Sequence, residues 1–178
     1  MTDVKHESFT ITRTYAKCLA HVWSAWSDGT KKRRWMVGDA MSADPAAFQF
    51  AFNVGGVEHH KFDSPMGQHE NHTTYFDIAD EERIVFAYSM SLDGRVHSVS
   101  VATVIFADAG GGTRVEYSEQ ITLIGTDPEK HPDSAWKAVQ NLTGQGQARA
   151  AAADLMQAGY SWDTGGHLSG NLRCHIRT

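Results

Sequence analysis

The chain has 178 residues and a formal net charge of −5, with ten histidines and two cysteines. That length is one domain's worth, and a single core buries roughly 70% of the surface the unfolded chain exposes, so no staple is needed. The acidic balance gives no electrostatic reason to expect nucleic acid or an anionic membrane as partner, and no stretch approaches the roughly 18 apolar residues of a membrane span.

The opening MTDVKHESF lacks the apolar core of a signal peptide. Cys18 and Cys174 do not make a disulfide framework and read as free thiols in a reducing compartment. A cytoplasmic protein is expected. Glu7 to Tyr15 alternates, with Phe9, Ile11, Arg13 and Tyr15 on one side, and predicts a first strand. Ala16 to Trp26 changes period: Leu19, Val22, Trp23 and Trp26 fall at i, i+3, i+4 and i+7, an amphipathic helix stopped by Ser27-Asp28-Gly29. A second short helix is expected over Lys31 to Met36, its KKRR run forming a solvated face.

After a loop over Val37 to Ala47, Phe48, Phe50, Phe52 and Val54 alternate with smaller or polar residues as a half-buried strand. Gly55-Gly56 supplies the positive backbone angles of a tight hairpin turn, and Val57 to Phe62 pairs back. Ser64 to Glu70 reads as a longer loop. Strands are then expected over Thr73 to Ile78, Arg83 to Met90, Val96 to Ala107 and Thr113 to Ile124. Their short connections imply an antiparallel meander. A covering helix begins at Pro132 to Leu142, is interrupted by Gly144 and Gly146, and can resume over Ala148 to Met156; Gly159 to Thr178 has no period.

The words FTITRTY, VWSAWSD, FNVGGVEHHKF, YFDIADEERIVFAYSM and SVSVATVIFADAGGGTRVEYSEQ follow one another between Phe9 and Asp127. In that order and spacing they resemble the bacterial Activator of Hsp-90 ATPase homologue-like family. That family belongs to the START-like (SRPBCC) superfamily, with the birch-pollen allergen fold and the polyketide cyclases. The resemblance implies an α+β helix-grip (START-like) fold. Its parts are a seven-stranded curved antiparallel sheet, two short helices and a C-terminal helix, together enclosing a cavity. The expected domain spans 7–156, with an irregular tail over 157–178.

Such a cavity is the default ligand site. The residues expected to line it are Trp23, Phe48, Phe50, Phe52, Phe86, Tyr88, His97, Tyr117 and Glu119. The plainer reading is that the aromatic ones only fill a core. Glu119 continues the alternation of Val115 and Tyr117 and should face inward, where it could orient a polar ligand head, act as acid or base, or pair with an arginine such as Arg13. His97 carries the same choice. His59, His60, His69 and His72 suggest a metal cluster, but neighbouring strand residues point to opposite faces, so no metal is expected. Asn141-Leu142-Thr143 matches a glycosylation sequon by chance.

The first functional expectation is a binding protein for a small lipophilic or aromatic molecule, without cofactor. No constellation of residues demands catalysis. The alternatives are a cavity enzyme of cyclase, aromatase or hydrolase type using Glu119 or His97, and a co-chaperone stimulating a chaperone ATPase. The family's eukaryotic namesakes work with an additional N-terminal domain, so a chaperone partner ranks last; a homodimer is compatible with such a domain.

Overall fold

The computed structural model describes residues 4–36, 48–64 and 67–125. The expected C-terminal helix and tail, the loop over 37–47, Cys174 and the sequon lie outside them. The elements run β1 (Val4–Tyr15), α1 (Leu19–Ser27), α2 (Gly29–Met36), β2 (Phe48–Phe50), β3 (Val57–Ser64), β4 (Gly67–Ala79), β5 (Arg83–Leu92), β6 (Arg95–Asp108) and β7 (Thr113–Ile124). All seven strands form one sheet in the order β1-β7-β6-β5-β4-β3-β2, each pair antiparallel. This is the curved sheet of a helix-grip fold. No described helix is long and apolar enough to cross a membrane.

Alternation decides the faces. Val115, Tyr117, Glu119, Ile121 and Leu123 of β7 are buried, as are Ser98, Ser100, Ala102, Val104 and Phe106 of β6. Val22, Trp23, Ala25 and Trp26 of α1 close over this face. Trp23 and Trp26 both meet Phe106 edge-on, at 5.1 and 6.1 Å between ring centres, the offset geometry that ring quadrupoles favour. The outward face carries Val99, Val101 and Ile105, each at least 40% exposed.

Two bulges add bend to the sheet. One sets Phe76 aside between the paired Tyr75 and Asp77; the other sets His97 aside, since Ser98 pairs with Met90 and Val96 with Ser91. The structure also corrects expected boundaries, among them that of the first helix, which begins at Leu19 rather than Ala16. The expected loop over Ser64 to Glu70 is strand at its described residues, because β3 runs to Ser64 and β4 starts at Gly67, the two residues being paired directly. The strand expected over Phe48 to Val54 ends at Phe50, and the chain closes a wide loop in which the Ala51 amide donates to the Val57 carbonyl at 2.9 Å.

That wide loop goes with the register of β2 on β3. A two-residue turn at Gly55-Gly56 would pair Val54 with Val57 and send Glu58 and His60 outward. Instead Phe50 pairs with Glu58 and Phe48 with His60. Directly opposed residues share a face, so both polar residues turn inward. Gly56 is tightly packed in the loop: a Cβ there would lie 2.1 Å from the Ala51 carbonyl oxygen.

Candidate functional site

The helix α2 begins two residues earlier than its basic run suggests, because Asp28 caps it. Asp28 Oδ1 accepts hydrogen bonds from the Thr30 and Lys31 amides at 2.8 and 3.1 Å. Gly29, Lys32 and Met36 then fall at i, i+3 and i+7 on one stripe. Gly29 packs so closely that a Cβ would lie 2.7 Å from the Phe50 ring. The expectation of a uniformly solvated KKRR face is therefore wrong at Lys32: Lys31 and Arg33 are exposed, while Lys32 is 2% exposed.

Lys32 reaches into a cage of rings. Its Nζ lies 5.3 to 5.7 Å from the centres of Trp26, Phe50, Tyr75 and Phe86, the range of cation–π attraction. It donates to Glu58 Oε2 at 2.6 Å and to the Tyr75 hydroxyl at 2.8 Å. Tyr75 in turn donates to the same Glu58 oxygen at 2.5 Å. Burial pushes the Lys32 ammonium below its ordinary value, and Glu58 opposes that. Burial, then Glu58, holds the Tyr75 phenol well above its own, so Tyr75 keeps its proton and acts as donor.

A second buried carboxylate lies across the sheet. Glu119 Oε1 accepts from Tyr88 at 2.6 Å and Ser100 at 2.7 Å, and Oε2 accepts from Tyr117 at 2.6 Å. Three hydroxyls thus replace water around a side chain 3% exposed. The pairing with Arg13 is not formed: Arg13 is exposed and donates to the Thr12 carbonyl. Phe86 and Tyr88, neighbours at 6.0 Å between ring centres, stand between the two clusters.

A ladder of rings runs along the inner side of β2, β3 and the start of β4. Phe52, Phe50, Phe48, His60, Phe62 and His69 follow one another at 4.8 to 6.2 Å between centres and 8 to 32° between planes. Phe48, Phe50, Phe52 and Phe62 are each half-buried. Of the residues expected around a cavity, Phe48, Phe50 and Phe52 stand on this ladder, and Phe86, Tyr88, Tyr117 and Glu119 face inward beside it. Trp23 is buried against Phe52 and Phe106. His97 is half-buried at its bulge, where burial first and His69 second lower its pKa; its Nδ1 is shielded and without a hydrogen-bond partner among the described residues.

The histidines divide as strand geometry requires. His59 turns outward to Glu70 at 2.5 Å and lies 5.6 Å from His72, while His60 turns inward. No group of three or more His, Cys, Asp or Glu among the described residues is placed to hold a metal ion. A groove of about 390 Å³ runs past the outward Ser8, Thr10, Val101, Thr103, Ser118 and Gln120 and also touches Phe9 and Glu119. Lys32, Glu58, His60 and Tyr75 were not expected at the site. The register of β2 on β3 brings in Glu58 and His60, and the stripe that Gly29 sets against Phe50 brings in Lys32.

Comparison with known proteins agrees with this architecture. The family described as Activator of Hsp90 ATPase homolog 1-like protein matches residues 19–145. Among solved structures, the Mll3558 protein of Rhizobium loti is 32% identical, with a TM-score of 0.69, over 88% of this chain and 98% of its own. An uncharacterized protein of Rhizobium leguminosarum is 25% identical, with a TM-score of 0.72, over 88% of this chain and 95% of its own. Protein Ms6760 of Mycobacterium smegmatis, 19% identical with a TM-score of 0.60 over 88% and 95%, shares the fold. No curated protein matches the chain.

Proposed function

The chain belongs to the Activator of Hsp90 ATPase homolog 1-like family, and from that premise we propose that it binds a small, flat, mainly apolar molecule carrying a polar head. The observation that carries this reading is the half-buried ladder from Phe52 to His69, set beside two buried carboxylates. Rings that only fill a core do not need buried charges among them. A buried ion pair is weak support for stability, since well-packed apolar residues often serve as well, whereas polar groups convergent on an apolar wall orient ligands.

The molecule's body stacks on the ladder, and its head meets the polar groups facing it. The protein works in the cytoplasm in this reading, with Cys18 as a thiol. Native mass spectrometry of freshly purified protein, followed by denaturing extraction, tests the reading. A stoichiometric aromatic or lipophilic molecule is expected. A bare chain mass, together with no thermal stabilisation by flat aromatic compounds, would contradict it.

A further inference from the structure

Glu58 divides its two oxygens unequally. Oε2 takes both Lys32 and Tyr75, while Oε1 has no hydrogen-bond partner among the described residues. His60 Nδ1 is in the same condition. These two atoms lie 3.7 Å apart on side chains no more than 3% exposed. That is too far for a hydrogen bond between them, yet both can reach one shared atom at an ordinary distance of about 2.8 Å. Leaving both dry wastes a carboxylate lone pair and an imidazole nitrogen in a place where each loss is costly.

The charge around the gap decides what fits it. The Lys32 ammonium already faces Glu58, so a second cation would bring unmatched charge into the interior. An anion would meet the carboxylate. Burial lowers the His60 pKa to about 4, which leaves its ring neutral near pH 7. A neutral group that donates to Glu58 Oε1 and accepts from His60 Nδ1–H satisfies both atoms, and a hydroxyl does so with one oxygen. The rings on either side of His60 are Phe48 and Phe62, at 6.1 and 6.2 Å between centres, and both are half-buried. An apolar body attached to that hydroxyl would lie along them.

We propose that Glu58 Oε1 and His60 Nδ1 hold the hydroxyl of a phenol or hydroxylated fused-ring compound whose ring stacks on the Phe48–Phe62 part of the ladder. This rests on the binding reading above and names its ligand class. The subsite is separate from Glu119, whose oxygens accept from Tyr88, Ser100 and Tyr117.

Fluorescence titration with 2-naphthol and with 2-fluoronaphthalene, a non-donating probe of nearly equal size, tests it. The full chain should prefer 2-naphthol by at least about ten-fold, the factor that about 1.4 kcal/mol represents. His60→Phe keeps the ring and removes Nδ1, and should bring the two affinities within about two-fold. His60→Asn places an amide near the position of Nδ1 and should keep most of the preference, a result that loss of folding alone would not give. Melting curves for each variant establish that it folds. Equal affinities in the unaltered chain, or an unchanged preference in His60→Phe, would overturn the proposal, leaving a bound water in the gap and the binding reading intact. Binding of neither probe would also overturn it, and native mass spectrometry would then judge the binding reading alone.

Discussion

At the scale of single residues, the interior is defined by how its charges are compensated. Lys32 and Glu58 are nearly inaccessible, at 2% and 0% exposed, and each depends on the other. Removing one partner of such a pair typically costs ~3–5 kcal/mol, because the survivor is left buried and unmatched. Lys32→Met should therefore destabilise the fold by about that amount in urea unfolding. The double variant Lys32→Met/Glu58→Gln should recover at least half of the loss, since no charge remains to strand. Glu119 behaves differently, because hydroxyls compensate it and an amide can replace it. Glu119→Gln should cost less than ~1 kcal/mol, whereas Glu119→Leu strands three hydroxyls and should cost about 3 kcal/mol or more.

At the scale of elements, the decisive quantity is register. The alternation of Phe48, Phe50 and Phe52 was enough to place their rings on the inner side, and the same reasoning placed Tyr117 and Glu119. It failed at Glu58 and His60, because Gly55-Gly56 resembles a two-residue turn while only Gly55, with φ of +77°, takes the left-handed conformation. A strand slipped by one residue shows its other face, so one misread turn concealed half of the polar interior. Lys32 was hidden for a different reason. A lysine within a basic run has no local mark of burial; its side of α2 follows from the close packing of Gly29, three residues earlier, on the Phe50 ring. The His97 bulge could not be read at all, since bulges arise from pairing rather than composition. Gly56→Ala tests the loop directly. Its methyl would press on the Ala51 carbonyl, and a loss of more than about 1 kcal/mol is expected, as for a residue forced into an incompatible backbone site. Unchanged stability would show that the loop relaxes freely and does not hold the register.

At the scale of the whole molecule, the sheet presents two unlike faces. Outward are single exposed valines and isoleucines among hydroxyls; inward are rings, two carboxylates, a lysine and three histidines whose pKa values burial lowers. Because His60, His69 and His97 bind protons less readily folded than unfolded, the unfolded chain holds more protons below about pH 6.5, and stability falls with pH there. The His60 contribution is complete above its unfolded value of 6.5 and is lost as the pH falls to its folded value of about 4. It amounts to about 3–4 kcal/mol at most, at about 1.4 kcal/mol per unit. Urea unfolding at pH 7 and pH 4.5 should show this decline, and His60→Phe should flatten it.

Folds of this kind host many activities, so the shape of the chain alone does not assign one. What distinguishes this molecule is the union of a ring ladder with buried, partly unused polar atoms on one face. The measurement that tests this most directly is a map of amide and side-chain chemical shifts during titration with 2-naphthol. Saturable shifts are expected at Phe48, Phe50, His60, Phe62 and Tyr88, with the outward Val99, Val101 and Ile105 unmoved. Shifts confined to the outward groove, or none at saturating ligand, would contradict the assignment of the inner face as the binding site.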